Sequence, residues 1–437
     1  MIVTSTRDLA LRTTFAEAVE RNAPEDGGLY LPLLGADGLA PFLDIEELLA
    51  LPFRARSTEI LARLLAPELG RLEVAAMVDA AFHFPLVHRE LEPGISVLEL
   101  FHGPSLSFKD FGVGFLAQLL AASRGREPGG RPRIVLTATS GDTGAAVVHA
   151  FHRLPGFAVV VLYPVGRISP LQERQIATCG DNVLAFAVEG SFDECQAMVK
   201  RSFADPALAA NAGLVSANSI HLARLLAQVT YYFEAAAQVA EARGKRPLVV
   251  AVPSGNFGNL CAGVLAQRLG APISTLVAAT NSNRTVPDFL DGEPFAPRPS
   301  VATLSNAMDV GAPNNWPRIE RLFDGDAEAL RAALRWGSAS DAATLSALAD
   351  LARLDYRADP HAAVAFDVLR RNLRAGEHGL FLATAHPAKF EATRDPAREL
   401  PRALAEAAAQ PLLSRPLSAD STVLRGVLLD IANRLHS

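Results

Sequence analysis

Cysteine is scarce in this chain: three in 437 residues, Cys179, Cys195 and Cys261, widely separated and odd in number. No CxxC pair and no cysteine–histidine spacing of a metal site occurs. That excludes a disulfide framework, argues against a metal centre and predicts a reducing compartment. Long apolar runs are also missing. No stretch approaches the roughly 18 apolar residues of a membrane-spanning helix, so none is expected. The opening "MIVTSTRDLALRTTFAEAV" has early acids and no apolar core of a signal peptide, so a cytoplasmic protein is expected. A basic surplus is missing as well. The formal net charge of −6 argues against nucleic-acid and acidic-membrane partners. An anionic small-molecule substrate would have to be met by local positive groups. Finally, GxGxxG, GxxxxGK[ST] and GxSxG are absent, which weakens dinucleotide, P-loop and α/β-hydrolase readings.

What is present is an ordinary globular composition, 49% hydrophobic and 20% charged, in a chain long enough for two or more domains. Residues 1–95 read as a mainly helical region, with helical apolar spacing in "TTFAEAVERN", "TEILARLLAPEL" and "EVAAMVDAAFHF". Beyond them, short β-branched runs alternate with Ala/Leu-rich helical stretches, the pattern of parallel α/β sheets. "RIVLTAT", "FAVVVLYP", "PLVVAVP" and "ISTLVAAT" read as buried strands, and "GLFLATAHPAKF" as a late strand ending near Thr384. Residues 326–353 read as helical. The expected division is a helical region over 1–95, an α/β domain over 96–235 and a second over 236–437.

Two of the strands end in turns that rhyme: Ser140-Gly141-Asp142-Thr143-Gly144 and Ser254-Gly255-Asn256-Phe257-Gly258. A glycine-rich turn opening a helix presents N–H groups and a positive dipole end to an anion. The plainer alternative is a tight turn that needs glycine for its backbone angles. Asn256 can donate to an anion and ionised Asp142 cannot, so the second turn is the better phosphate cradle. Asp142 is expected to cap its own helix or face a polar ligand group. Ser140, Gly141 and Thr143 leave the first turn able to take a smaller acid group.

Lys109 stands in "FHGPSLSFKDFGVGF", among aromatics and small residues. Burial would lower the pKa of its amine, and a neutral amine attacks aldehydes and accepts protons. A surface lysine with a buried stem is the alternative. A lysine together with a phosphate cradle points to one cofactor bearing both an aldehyde and a phosphate, pyridoxal 5'-phosphate. In "SANSIHLARLLAQ", Asn218, Ser219 and Arg224 surround a helix entrance. They offer either capping with a solvated arginine, or a second phosphate site gripped by a guanidinium.

The segments "ELFHGPSLSFKDFG", "TATSGDTGAAV", "SANSIHLARLLAQ", "VPSGNFGN", "LSNAMDVGAPNNWPR" and "GLFLATAHPAKF" together resemble the threonine synthase family, in its longer bacterial and fungal form. The resemblance runs over nearly the whole chain. It implies a tryptophan synthase β-like, fold type II, pyridoxal-phosphate enzyme with two parallel-sheet α/β domains plus a mainly helical N-terminal region. It implies conversion of O-phospho-L-homoserine and water to L-threonine and phosphate. By motif, it implies Lys109 as the Schiff-base lysine, Gly255, Asn256, Phe257 and Gly258 as the cofactor-phosphate loop, and Thr384 facing the pyridine nitrogen. Ser140, Gly141, Asp142 and Thr143 match the substrate carboxylate loop; Asn218, Ser219 and Arg224 match the substrate phosphate site. The sequence departs from relatives at His221, where many have asparagine, and at Asp142, where the shorter synthases have asparagine. No metal is implied, and a monomer or small homo-oligomer is expected. Two rivals stay open at this point: a deaminase or lyase of the same fold that releases a 2-keto acid, and a non-catalytic sensor of phosphorylated ligands.

Overall fold

The computed structural model describes residues 1–35, 38–126, 132–139 and 141–436. They form two compact units, one made of Met1–His102 with Ser219–Pro387, the other of Gly103–Asn218 with Ala388–Ser437. The units are discontinuous in sequence, unlike the contiguous division expected from texture. The reason is pairing between distant segments. Strand Ile95–Glu99 lies parallel to His378–Ala383, and Arg415–Ser418 lies parallel to Val183–Glu189.

The first unit holds a six-stranded sheet in the order Leu334–Ser338, Thr275–Thr280, Leu248–Pro253, His378–Ala383, Ile95–Glu99, Val87–Glu92. All neighbours are parallel except the last pair. Leu248–Pro253 and His378–Ala383 are buried at every position, as strands covered on both faces must be. Helix Pro360–Asn372 supplies much of the apolar cover, with Val364, Phe366, Val368 and Leu369 in the same cluster as Val249, Ala251 and Phe381. The expected N-terminal helices form, at Phe15–Arg21, Ile45–Ala50, Phe53–Leu65 and Arg71–Ala81. A small antiparallel sheet of Arg12–Thr14, Ile2–Ser5 and Tyr30–Pro32 accompanies them.

The second unit holds a five-stranded parallel sheet in the order Arg415–Ser418, Val183–Glu189, Phe157–Pro164, Arg133–Ala138, Leu214–Ser216. Its apolar cluster draws on Val160, Leu162, Met198 and, from the chain's last helix, Leu424 and Leu428. Two edge strands escape the sequence pattern. Leu334–Ser338 interrupts the stretch expected to be helical over 326–353, and Arg415–Ser418 lies in the tail. Both are short, and one carries a glycine and the other a proline, so their signal is weak. Their backbone partners in the sheets decide them.

Arg56 and Glu234 form a buried ion pair in the first unit, and Arg56 also donates to the carbonyls of Leu48 and Leu49. Removing one partner strands the other charge away from water, a loss of about 3–5 kcal/mol. Arg56→Ala should therefore lower unfolding stability by that amount in urea titrations. Arg56→Met with Glu234→Leu should recover much of it.

Candidate active site

Parallel strands aim their carboxyl ends, and the loops that follow, at one edge of the sheet, where ligands of such folds bind. In the first unit, Ser254–Gly258 follows the central strand Leu248–Pro253, and Thr384 follows its neighbour His378–Ala383. Phe257 adopts a left-handed conformation at φ 60° and serves as the residue before helix Gly258–Arg268. The N–H groups of Gly255, Asn256, Phe257 and Gly258 have no acceptor among the described residues. A run of unpaired amides at a helix start is a ready anion site. Asn256 Oδ1 accepts from the Asn314 N–H at 3.3 Å, which leaves its amide NH₂ as a donor. Gly255 permits the close packing beneath: a Cβ there would lie 2.8 Å from Met308 Cα. The hydroxyl of Thr384, a buried residue, has no partner among the described residues.

The floor under that loop was not assigned a role from the sequence. Ala307 N–H donates to His361 Nε2 at 3.2 Å, while His361 Nδ1–H donates to Asp359 at 2.5 Å. The Asp309 carboxylate accepts from Asn281 at 2.8 Å, Asn283 at 3.2 Å and the Thr303 hydroxyl at 2.7 Å. These bonds clamp 307–309 against Gly255. The available signal was the "LSNAMDVGAPNNWPR" segment itself, a polar run dense in Asn that ordinary surface loops do not need.

The helix entrance expected near Asn218 and Ser219 starts later than read. Helix Leu222–Gln238 is capped by His221, whose Nδ1 accepts the Ala223 N–H at 3.2 Å. His221 Nε2–H donates to the Val19 carbonyl at 3.1 Å. An imidazole in this tautomer does the capping work that asparagine would do, so Ser219 and Asn218 are not caps. Arg224 is 3% exposed and therefore not the solvated arginine of the plainer reading. Burial lowers its pKa to about 10, which leaves it charged at neutral pH. Ser219 and Arg224 belong to the first unit and Asn218 to the second.

In the second unit, Lys109 opens helix Lys109–Arg126, with its ammonium 4.7 Å from the Phe108 ring centroid. Its side chain keeps 15% exposure, so desolvation is partial. Asp142 Oδ2 lies 4.0 Å away. Gly141 and Thr143 flank Asp142 at the carboxyl end of Arg133–Ala138; Ser140 lies outside the described residues. Asn218 follows the neighbouring strand Leu214–Ser216, so it shares that edge. The amides of Asp142 and Thr143 have no acceptor among the described residues.

Asp142 does not cap its helix. The cap position is Gly141, without a side-chain bond. The carboxylate is instead held by Lys389 at 2.7 Å and Gln172 at 2.9 Å. Burial alone would raise its pKa. The charges of Lys389 and Lys109, with the hydrogen bonds from Lys389 and Gln172, outweigh burial and hold it well below the usual carboxylate range. The carboxylate's charge is thereby answered by a cation from 247 residues away in the chain. Lys389 is fully buried and also donates to the Ser105 carbonyl at 2.7 Å, tying down the loop before Lys109. Gly141, at φ 140°, has no room for a Cβ, which would meet Gln172 Nε2 at 2.5 Å. Ser105 N–H binds Asp110, whose carboxyl burial pushes up to about 6. No group of histidine, cysteine and carboxylate side chains suited to a metal ion occurs among the described residues.

Each unit carries groups that suit part of a phosphorylated aldehyde: the first a loop of amides without acceptors among the described residues and a neutral hydroxyl beyond the adjacent strand, the second a partly buried amine. The comparisons agree. Residues 83–384 match the model of the pyridoxal-phosphate dependent enzyme family. The threonine synthase of Escherichia coli (strain K12) is 47% identical over 425 residues, covering 96% of this chain and 97% of that protein. The crystal structure of the Escherichia coli threonine synthase matches with a TM-score of 0.91 at 46% identity, covering 98% of this chain and 100% of that one. The pyridoxal-phosphate-bound threonine synthase of Brucella melitensis matches with a TM-score of 0.89 at 30% identity, covering 99% of each chain.

The His221 cap makes stability depend on acid. Burial lowers its pKa from 6.5 to about 3, with the Val19 carbonyl opposing and the Arg224 and Arg318 charges assisting. Between these values the unfolded chain binds a proton that the folded one refuses. Stability therefore falls as pH drops through that window, by up to about 1.4 kcal/mol per pH unit. His149 and His378, lowered to about 4, add to the slope in the parent. His221→Asn, which keeps a capping side chain, should flatten the pH dependence of urea unfolding stability relative to the parent between pH 6 and 4 by about one proton.

Proposed function

We propose, for a chain that belongs to the threonine synthase family of pyridoxal-phosphate-dependent enzymes, that it converts O-phospho-L-homoserine and water to L-threonine and phosphate. The observation that carries the reading at the level of this chain's residues is the set of amides from Gly255 to Gly258, without acceptors among the described residues, at the carboxyl end of a buried parallel strand. Amides in that arrangement select a phosphate without needing a net positive protein. Bound pyridoxal phosphate supplies the electron sink that lets protons leave the substrate's carbons and the γ-phosphate depart.

The chain's own residues divide the remaining work. Lys109 would hold the cofactor's aldehyde carbon and, once the substrate's amine has displaced it, its freed amine would take and return protons at the substrate's Cα, Cβ and Cγ. Gly255, Asn256, Phe257 and Gly258 hold the cofactor phosphate. Thr384 offers the ring nitrogen a hydroxyl and not a carboxylate, so that nitrogen is not obliged to hold a proton. A moderated sink of that kind disfavours transamination. Gly141 and Thr143, with the amide of Asp142, receive the substrate carboxylate, and Ser140 belongs to the same assignment. The Asp142 side chain is committed to Lys389, so its own part is to shape the loop. Arg224, with Ser219 and Asn218, takes the substrate phosphate, where a guanidinium fork suits a dianion. The protein acts on this small molecule in the cytoplasm as a monomer or small homo-oligomer. Among the described residues no helix is long and apolar enough to cross a membrane.

Incubation of the holoenzyme with O-phospho-L-homoserine should release phosphate and threonine in equal amounts. A 2-keto acid in place of threonine would favour the deaminating rival and refute the assignment. Lys109→Ala should abolish turnover. Arg224→Ala should raise the KM for O-phospho-L-homoserine at least tenfold and leave the cofactor's absorbance intact, since a charge-assisted contact contributes about 1.5–3 kcal/mol. Loss of cofactor from that variant would move Arg224 out of the substrate's phosphate site.

A further inference from the structure

We propose that Arg318 is a positioning residue for both phosphate-binding segments of the first unit, acting on one through the side-chain amide of Asn315 and on the other through the carbonyl of Ile220. The inference rests on the function proposed above. Arg318 lies on helix Trp316–Leu322 and is fully buried. Its guanidinium donates to the Tyr30 carbonyl at 2.9 Å, to Asn315 Oδ1 at 2.6 Å and to the Ile220 carbonyl at 2.6 Å.

A guanidinium has donors only, so it decides which way the Asn315 amide turns. The oxygen faces Arg318, and Nδ2 is left to donate to the carbonyls of Asn256 at 3.1 Å and Ser219 at 3.5 Å. The Asn315 N–H reaches the same Asn256 carbonyl at 3.1 Å. The Asn256–Phe257 peptide is trans. Pinning its carbonyl toward Asn315 therefore points the Phe257 N–H the opposite way, because the C=O and N–H of a trans peptide are antiparallel within its plane. That N–H is one of the four amides without an acceptor among the described residues. The loop thus holds its donors outward because Arg318 holds Asn315.

The other end of the fork reaches the segment that carries Ser219 and Arg224. Ile220 stands between Ser219 and the His221 cap, so fixing its carbonyl fixes where helix Leu222–Gln238 begins. The charge of Arg318 adds a second consideration. All three of these acceptors are neutral oxygens, and burial lowers its pKa to about 10, so it stays charged at neutral pH. A buried cation answered only by dipoles is costly by itself and is favoured by a nearby anion. Lysine would keep the charge without the planar fork, and glutamine would keep a donor without the charge.

The test uses the full-length protein with Arg318→Gln, Arg318→Lys and Asn315→Asp. The last keeps the volume and the acceptor for Arg318 but sets an oxygen against the Asn256 and Ser219 carbonyls. The measurements are the Kd for pyridoxal phosphate, the ³¹P resonance of the bound cofactor, the KM for O-phospho-L-homoserine at saturating cofactor, and the thermal midpoint. Arg318→Gln and Asn315→Asp should each raise the cofactor Kd at least tenfold and shift the ³¹P resonance. Both should also raise the substrate KM several-fold, with Arg318→Lys between them and the parent. A lowered thermal midpoint with parent-like Kd and KM would make Arg318 merely structural and overturn the proposal. Where Arg318→Gln fails to fold, Asn315→Asp decides, because it leaves the contacts to Tyr30 and Ile220 in place. A parent that binds the cofactor and forms threonine beside variants with parent-like constants overturns this inference alone. A parent that does neither overturns the function as well.

Discussion

A strand covered on both faces has nowhere to put a polar side chain except at its ends, and both sheets of this chain obey that constraint. Leu248–Pro253, His378–Ala383 and Phe157–Pro164 are buried throughout. Much of the candidate chemistry therefore sits in the loops that leave the strands. In parallel sheets those loops share an edge by construction. Gly255–Gly258 and Thr384 in one unit, and Gly141–Thr143 and Asn218 in the other, are neighbours at an edge because their strands are neighbours in a sheet. The register of the strands, not any direct attraction between the loops, brings each set together.

Charges that leave this edge for the interior are each answered by specific partners. Asp142 is answered by Lys389 and Gln172, and Arg56 by Glu234 and backbone carbonyls. Arg318 is answered by three neutral oxygens. Such groups contribute little net stability compared with apolar packing, but they restrict orientation, since an unpaired member is penalised heavily. That accounts for their places. Lys389 anchors the loop before Lys109 and the start of the helix after Gly141, and Arg318 anchors the segments around Asn256 and Ser219.

Much of this was legible without coordinates, and the reasons are local. Strand and helix texture marked the buried parallel strands because burial on both faces leaves an unbroken apolar run. Lys109 stood out because a lysine among aromatics is out of place, and Gly255–Gly258 because a glycine- and asparagine-bearing turn between a strand and a helix can present donors to an anion. The family resemblance attached roles to Thr384, Arg224 and the first turn. By contrast, Leu334–Ser338 looked helical because a short edge strand carries a weak pattern, and its partner Thr275–Thr280 is far upstream. Nor did texture show that the compact units are discontinuous, since Ile95–Glu99 finds its place beside a strand formed almost at the other end of the chain.

The sequence by itself determined the chemistry on offer: an amine, a loop of donors, a hydroxyl at the end of a strand and an arginine at a helix entrance. Each is a property of residue type and immediate neighbours, which a linear string records. Only the tertiary structure decided how those groups are held. Asp142 is a neutralised brace and not a cap because Lys389 arrives from the far end of the chain. His221, and not Ser219, begins its helix because the Val19 carbonyl fixes the imidazole. Asn315 faces the turn after Leu248–Pro253 amide-first because Arg318 can only donate. Arg318 and Asn315 are three residues apart, but Lys389 and Asp142, Val19 and His221, and Asn315 and Asn256 are brought together by folding across tens to hundreds of residues, which no local spacing encodes.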